Sequence, residues 1–145
     1  MRIPFDLLWK WLLAVTVLSA LMAVVLMVAP DSAIMREYNA TWSRAFYGAD
    51  VLPPAALAQH KMSMGVSGAG VLGWAVTLLF VVMGPYRRRE PWAWWSIAVS
   101  VPAWAVSDLV LSVVHGVSGE VLFAGAALVG IMLPVLLAKP HFPPR

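Results

Sequence analysis

Gly84-Pro85-Tyr86-Arg87-Arg88-Arg89-Glu90-Pro91-Trp92 separates two long apolar runs, and the reading of this basic turn with its arms, from His60 to His115, decides the fold. Each arm is about 22 residues, the length that crosses about 30 Å of hydrocarbon at about 1.5 Å of rise per residue. A transmembrane helical hairpin is predicted. Along the first arm His60, Ser63, Ser67, Gly70, Trp74 and Thr77 recur at alternating spacings of three and four, which confines them to an arc of roughly 100°. On the second arm Ser100, Trp104, Asp108, Ser112 and His115 fall within roughly 120° by the same geometry. Lipid offers such groups no partners, so the two stripes are expected to meet in a polar seam between spans two and three. Folding back at the turn sets His60 level with His115, and Ser67 with Asp108.

Composition agrees with a membrane class. The 145 residues suffice for one domain; 61% are hydrophobic and 12% charged, with mean hydropathy +0.82, against about a quarter charged in ordinary soluble chains. The formal charge of +3 and pI near 9.7 do not point to nucleic acid, because Arg87, Arg88 and Arg89 stand between two spans, where basic residues mark the cytoplasmic side. With no cysteine, disulfides and thiolate metal sites are excluded.

Outward from the hairpin, Leu7 to Ala29 form a first apolar span, longer than a cleavable signal segment, and a retained anchor is expected. Residues 31–59 mix charges with Ile34, Tyr38, Trp42 and Phe46 at steps of four. That spacing predicts a short amphipathic helix lying on the membrane surface or capping the bundle, with a packed connecting loop as the alternative. Gly65, Ala69 and Gly73 are spaced for close approach of a neighbouring helix, as are Ala126 and Gly130 in the last span. Trp92, Trp94 and Trp95 form an aromatic girdle, and Pro102 and Pro134 interrupt spans three and four. The tail from Lys139 to Arg145 is predicted to be basic and unstructured, with His141 in solvent. The fold class is therefore all-α: an integral membrane four-helix bundle with spans at about 7–29, 62–83, 92–114 and 121–138 and a short extracytoplasmic amphipathic helix between the first two. Seven Lys and Arg (Arg2, Lys10, Arg87, Arg88, Arg89, Lys139, Arg145) fall at one end of the spans and three (Arg36, Arg44, Lys61) at the other, so both termini are expected in the cytoplasm.

Asp108 is the most informative residue. It lies about 10 Å inside the outer end of its span, where an ionised carboxylate costs about 2.5 to 3.5 kcal/mol. Either it is protonated or hydrogen-bonded to Ser63, Ser67 or Ser112 and locks the bundle, or it lines a polar cavity as proton acceptor or ligand-orienting group. His60 and His115 are ordinary interfacial residues or, if brought together, a pair able to share a metal or haem iron. Glu120, at the end of the last span, is expected in water. No His-Glu-x-x-His, Gly-x-Ser-x-Gly or phosphate loop is present, so the common hydrolase and nucleotide signatures are lacking.

The run from His60 through Gly68-Ala69-Gly70 and Gly73-Trp74-Ala75, then Arg88-Arg89-Glu90-Pro91-Trp92-Ala93-Trp94-Trp95, Ser100, Trp104, Asp108 and Ser112, resembles small four-helix bacterial membrane proteins, broadly of the DoxX-like kind. The resemblance covers about two thirds of the chain and implies the fold and a bacterial inner membrane; it carries no catalytic residues over. Two functional classes follow. In the first, a small apolar or amphipathic ligand of lipid or quinone type, or a partner protein or second copy of the chain, is held by the outward-facing seam of His60, Ser63, Ser67, Trp74, Trp104, Asp108, Ser112 and His115. In the second, a membrane-bound oxidoreductase or metal- or haem-binding protein uses His60 and His115.

Overall fold

A computed structural model describes residues 3–142; Arg2 and Arg145, both counted among the basic residues above, lie outside the described residues, as do Pro143 and Pro144. Every element is helical: α1 (Phe5–Val28), α2 (Arg36–Tyr47), α3 (Pro54–Val81), α4 (Pro91–Val114) and α5 (Ser118–Ala138), with a 3-10 turn at Ala33–Met35. Four of these are long and apolar enough to cross a membrane, with the spans Phe5–Val28, Pro54–Tyr86, Pro91–Val114 and Ser118–His141. A long apolar helix stands at each of the four expected positions. The second starts earlier, at Pro54 rather than near Met62, since a proline in the first helical turn loses no hydrogen bond. Its 33 residues reach about 50 Å, more than the hydrocarbon needs.

The junction of α3 and α4 is tighter than an open loop. Val82–Tyr86 widens into a π turn containing Pro85, which has no N–H to donate. Arg89 takes a left-handed conformation with φ 60°, and its N–H donates to the Tyr86 carbonyl at 2.9 Å. Glu90 then accepts from Arg88 Nε and from Trp92 Nε1, each at 2.7 Å. At the other end of α4, Gly116 with φ 71° allows a Schellman closure. The Val117 N–H reaches the Ser112 carbonyl at 2.9 Å and the Gly116 N–H reaches Val113 at 3.2 Å, so α5 turns straight back along α4.

The helices are closely packed at the end that carries the arginine turn. Phe5, Leu8 and Leu12 of α1 meet Leu78, Val82 and Tyr86, together with Trp94, Ile97 and Val101 of α4 and Ile131 and Val135 of α5. Two indoles tie the helices through backbone: Trp9 Nε1 donates to the Val82 carbonyl at 2.9 Å and Trp94 Nε1 to the Val135 carbonyl at 2.8 Å. The girdle expected from three tryptophans is therefore two, Trp92 and Trp95 being exposed while Trp94 is buried. The residues after α5 are not unstructured as far as they are described. Lys139–His141 forms a 3-10 turn, Phe142 packs on Tyr86 with ring centroids 4.8 Å apart, and His141 lies against Phe5 at 5.6 Å rather than free in solvent. Three cations cover this aromatic end: Arg87 over Trp9, Arg89 over Phe5 and Lys139 over Trp94.

Toward the opposite end the packing divides. α1 packs along α3, α4 along α5, and α1 against α5. Contact between α3 and α4 is slight by comparison, and it centres on the stacked rings of Trp74 and Trp104, 5.6 Å apart. The close approach of α3 to α1 occurs at Gly68, where a Cβ would stand 2.7 Å from the Ala23 carbonyl oxygen. Gly65 and Gly73, whose spacing predicted the packing face, have nothing within 4 Å of a Cβ position.

Candidate ligand-binding cavity

Beyond the Trp74 and Trp104 stack, the gap between α3 and α4 is a cavity of about 600 Å³. The two polar stripes form its walls. His60, Ser63, Ser67 and Trp74 line it from α3, and Ser100, Trp104 and Asp108 from α4. Apart from the stacked Trp74 and Trp104, they stand across space rather than in contact. The fourteen helical steps from His60 to Trp74 set its depth at about 21 Å along α3. Thr77, the last member of the α3 stripe, lies below the floor and donates to its own helix at Gly73, 3.0 Å away.

The rest of the enclosure comes from elements the hairpin does not contain. Glu120 and Phe123 of α5 form the back, Leu26 of α1 supplies apolar surface, and Tyr38 and Trp42 of α2 lie across the end away from the arginine turn. Glu120, expected in water, is half-buried and accepts a hydrogen bond from the Tyr38 hydroxyl. Burial, then the adjoining charge of Glu120, pushes the Tyr38 phenol far above its ordinary value, so it remains a donor at any physiological pH. A second bond joins the same helices. The Gly119 N–H, unpaired within its own helix because it lies in the first turn, donates to Thr41 Oγ1 at 3.2 Å. Thr41 Oγ1 in turn donates to the Tyr38 carbonyl at 2.7 Å.

Asp108 does not form the serine lock. It has no hydrogen bond to Ser63, Ser67 or Ser112, and it lies within electrostatic reach of Glu120 and Tyr38. Ser112 and His115 line a smaller neighbouring cavity of about 330 Å³, which shares Asp108, Trp42 and Glu120 with the first and adds Phe46. His60 Nε2 pairs with Asn39 Oδ1 at 3.1 Å, and His115 Nδ1 with the Leu111 carbonyl of its own helix at 2.8 Å. The two imidazoles are linked through intervening rings, His60 to Trp42 at 5.7 Å, Trp42 to Phe46 at 5.0 Å and Phe46 to His115 at 6.1 Å. Among the described residues no group of three His, Asp or Glu is placed to hold a metal ion.

Sequence reasoning missed Glu120 and Phe123 as lining residues. The available signal was positional: Glu120 is twelve residues beyond Asp108, across one tight turn, which puts both carboxylates near the same membrane level. Comparison of the chain with protein-family models, curated proteins and solved structures gives no match. The cavity's chemistry must be read from its own residues.

Proposed function

We propose that this chain is an integral membrane protein, expected in the bacterial inner membrane, that binds a small amphipathic molecule in the cavity between its second and third spans. The observation that carries the reading is the cavity itself. It is of ligand size, about 600 Å³, within the range of small-molecule sites, and it combines apolar walls with a few convergent polar groups. Most members of both polar stripes of the hairpin line it, so polar groups that lipid could not satisfy have a common purpose there.

The proposed orientation has both termini in the cytoplasm and α2 as a short amphipathic helix on the outer side. Lys10, Arg87, Arg88, Arg89 and Lys139 gather at the closely packed end, which supports that sense. Glu37, Arg44 and Asp50 pair on the exposed side of the α2 region, while Tyr38 and Trp42 face the cavity. The ligand would then be exchanged with the outer leaflet or the space beyond it.

The test is ligand-dependent stabilisation of the purified full chain in a neutral detergent, using a panel of small apolar probes, neutral and charged. A molecule that binds the folded chain alone raises its stability by about 2.7 kcal/mol at a hundred times its Kd. Gly70 lines the cavity and has open space around its Cβ position, so Gly70→Phe places an aromatic ring in the site from a position where the added Cβ meets no neighbour. We expect at least one probe to raise Tm and to quench tryptophan emission saturably in the native chain, and to do neither in Gly70→Phe. Absence of any shift across the panel, or a shift that survives in Gly70→Phe, would overturn the reading.

A further inference from the structure

We propose that the occupant of the main cavity is an organic cation, a protonated amine or other onium group carried on an apolar body. This rests on the binding reading above and adds the charge class of the ligand. Two carboxylates from different helices, Asp108 and Glu120, face the same space, and no lysine or arginine among the described residues lines it. Of the basic side chains nearest in sequence, Arg36 is exposed and does not line the cavity, Lys61 pairs with Asp31 at 2.5 Å, and Arg44 pairs with Glu37 at 2.5 Å and Asp50 at 2.9 Å. Among the described residues His60 is the lining group that can become positive, and its Nε2 pairs with Asn39.

Carboxylates removed from water need a counter-charge or a set of donors. Glu120 has one donor in Tyr38. Asp108 has none among the described residues. A neutral amphiphile such as a quinone would leave that deficit in place, and an anionic one would deepen it, whereas a cation removes it. The walls favour the same class by a second, independent route. Trp74 and Trp104 stack at the floor, and Trp42, Tyr38 and Phe123 enclose the other end, so a cation is bounded by aromatic rings whose faces attract positive charge. Volume distinguishes an organic cation from a metal ion. About 600 Å³ is far more than one ion fills, and among the described residues no third acidic or imidazole ligand joins the two carboxylates.

The experiment compares tetraphenylphosphonium with triphenylphosphine oxide, a neutral molecule of similar aromatic bulk, by tryptophan quenching of the full chain in neutral detergent. We expect the cation to bind at least tenfold more tightly than the oxide. Asp108→Asn, which keeps shape and removes charge, should weaken the cation tenfold or more and leave the oxide unchanged. The native chain's preference for cation over oxide needs no variant, so the inference remains testable if Asp108→Asn fails to fold. Equal affinity for the two probes would overturn the cationic assignment while leaving the cavity reading intact. No saturable binding of either probe, with the fold preserved, would remove both.

Discussion

Gly68 is the position where α1 and α3 come closest, and it shows what a single hydrogen in place of a methyl does in a helical bundle. A Cβ there would stand 2.7 Å from the Ala23 carbonyl oxygen and 2.8 Å from Met27 Cγ, and the first of these is backbone that cannot swing aside. Gly68→Val should therefore lower stability by about 1 to 3 kcal/mol through overpacking, read as a fall in Tm in detergent. Gly65→Ala and Gly73→Ala meet nothing within 4 Å and should leave Tm nearly unchanged; an equal fall in all three variants would refute this account. The spacing of small residues was legible as a packing signal, but the face that packs was not. Gly65, Ala69 and Gly73 form as regular a series as any containing Gly68, and only the position of α1 selects between them.

At the scale of elements, α2 has the least extensive packing of the five helices. It is tied to α5 by Tyr38 with Glu120 and by Thr41 with Gly119, and to α3 by Asn39 with His60. Tyr38→Phe leaves a half-buried carboxylate without its donor, at about 1.4 kcal/mol, equivalent to tenfold in an opening equilibrium. Amide hydrogen exchange in α2 should then accelerate about tenfold while the buried stretch of α4 from Ala93 to Val101 keeps its protection. Uniform acceleration along the whole chain would show that α2 is instead an integral part of one cooperative unit. Tyr38 and Trp42 were legible as one side of a short helix because their spacing of four needs only local periodicity. Their partner Glu120 was not legible, being 82 residues away from Tyr38 and on a helix whose place beside α2 is decided by the Gly116 turn.

For the whole molecule, length and hydropathy were enough to find all four long helices, since apolar runs of about 20 residues have few other uses. The proposed topology has a direct check. Reporter fusions after Arg89 and after Ser118 should report opposite compartments, Arg89 inside and Ser118 outside; finding both on one side would remove the four-span arrangement. Polar stripes on α3 and α4 were equally legible, and so was their mutual orientation. The distance between them was not, because periodicity records which way a side chain faces and carries no measure of how far away the opposite wall stands. That distance depends on α1 and α5, which hold the two helices apart.

The order of these contacts also has a meaning in time. During synthesis α1 and α3 leave the ribosome ahead of α4 and α5, which then emerge as neighbours joined by a short turn. Between those two pairs, the contact of α1 with α5 and the lining of the cavity by Glu120 and Phe123 both require the fourth span. A nascent chain halted after α4 would expose Asp108 without Glu120 or the back wall. The pocket is thus a late product of translation, completed when the fourth span joins helices made long before it.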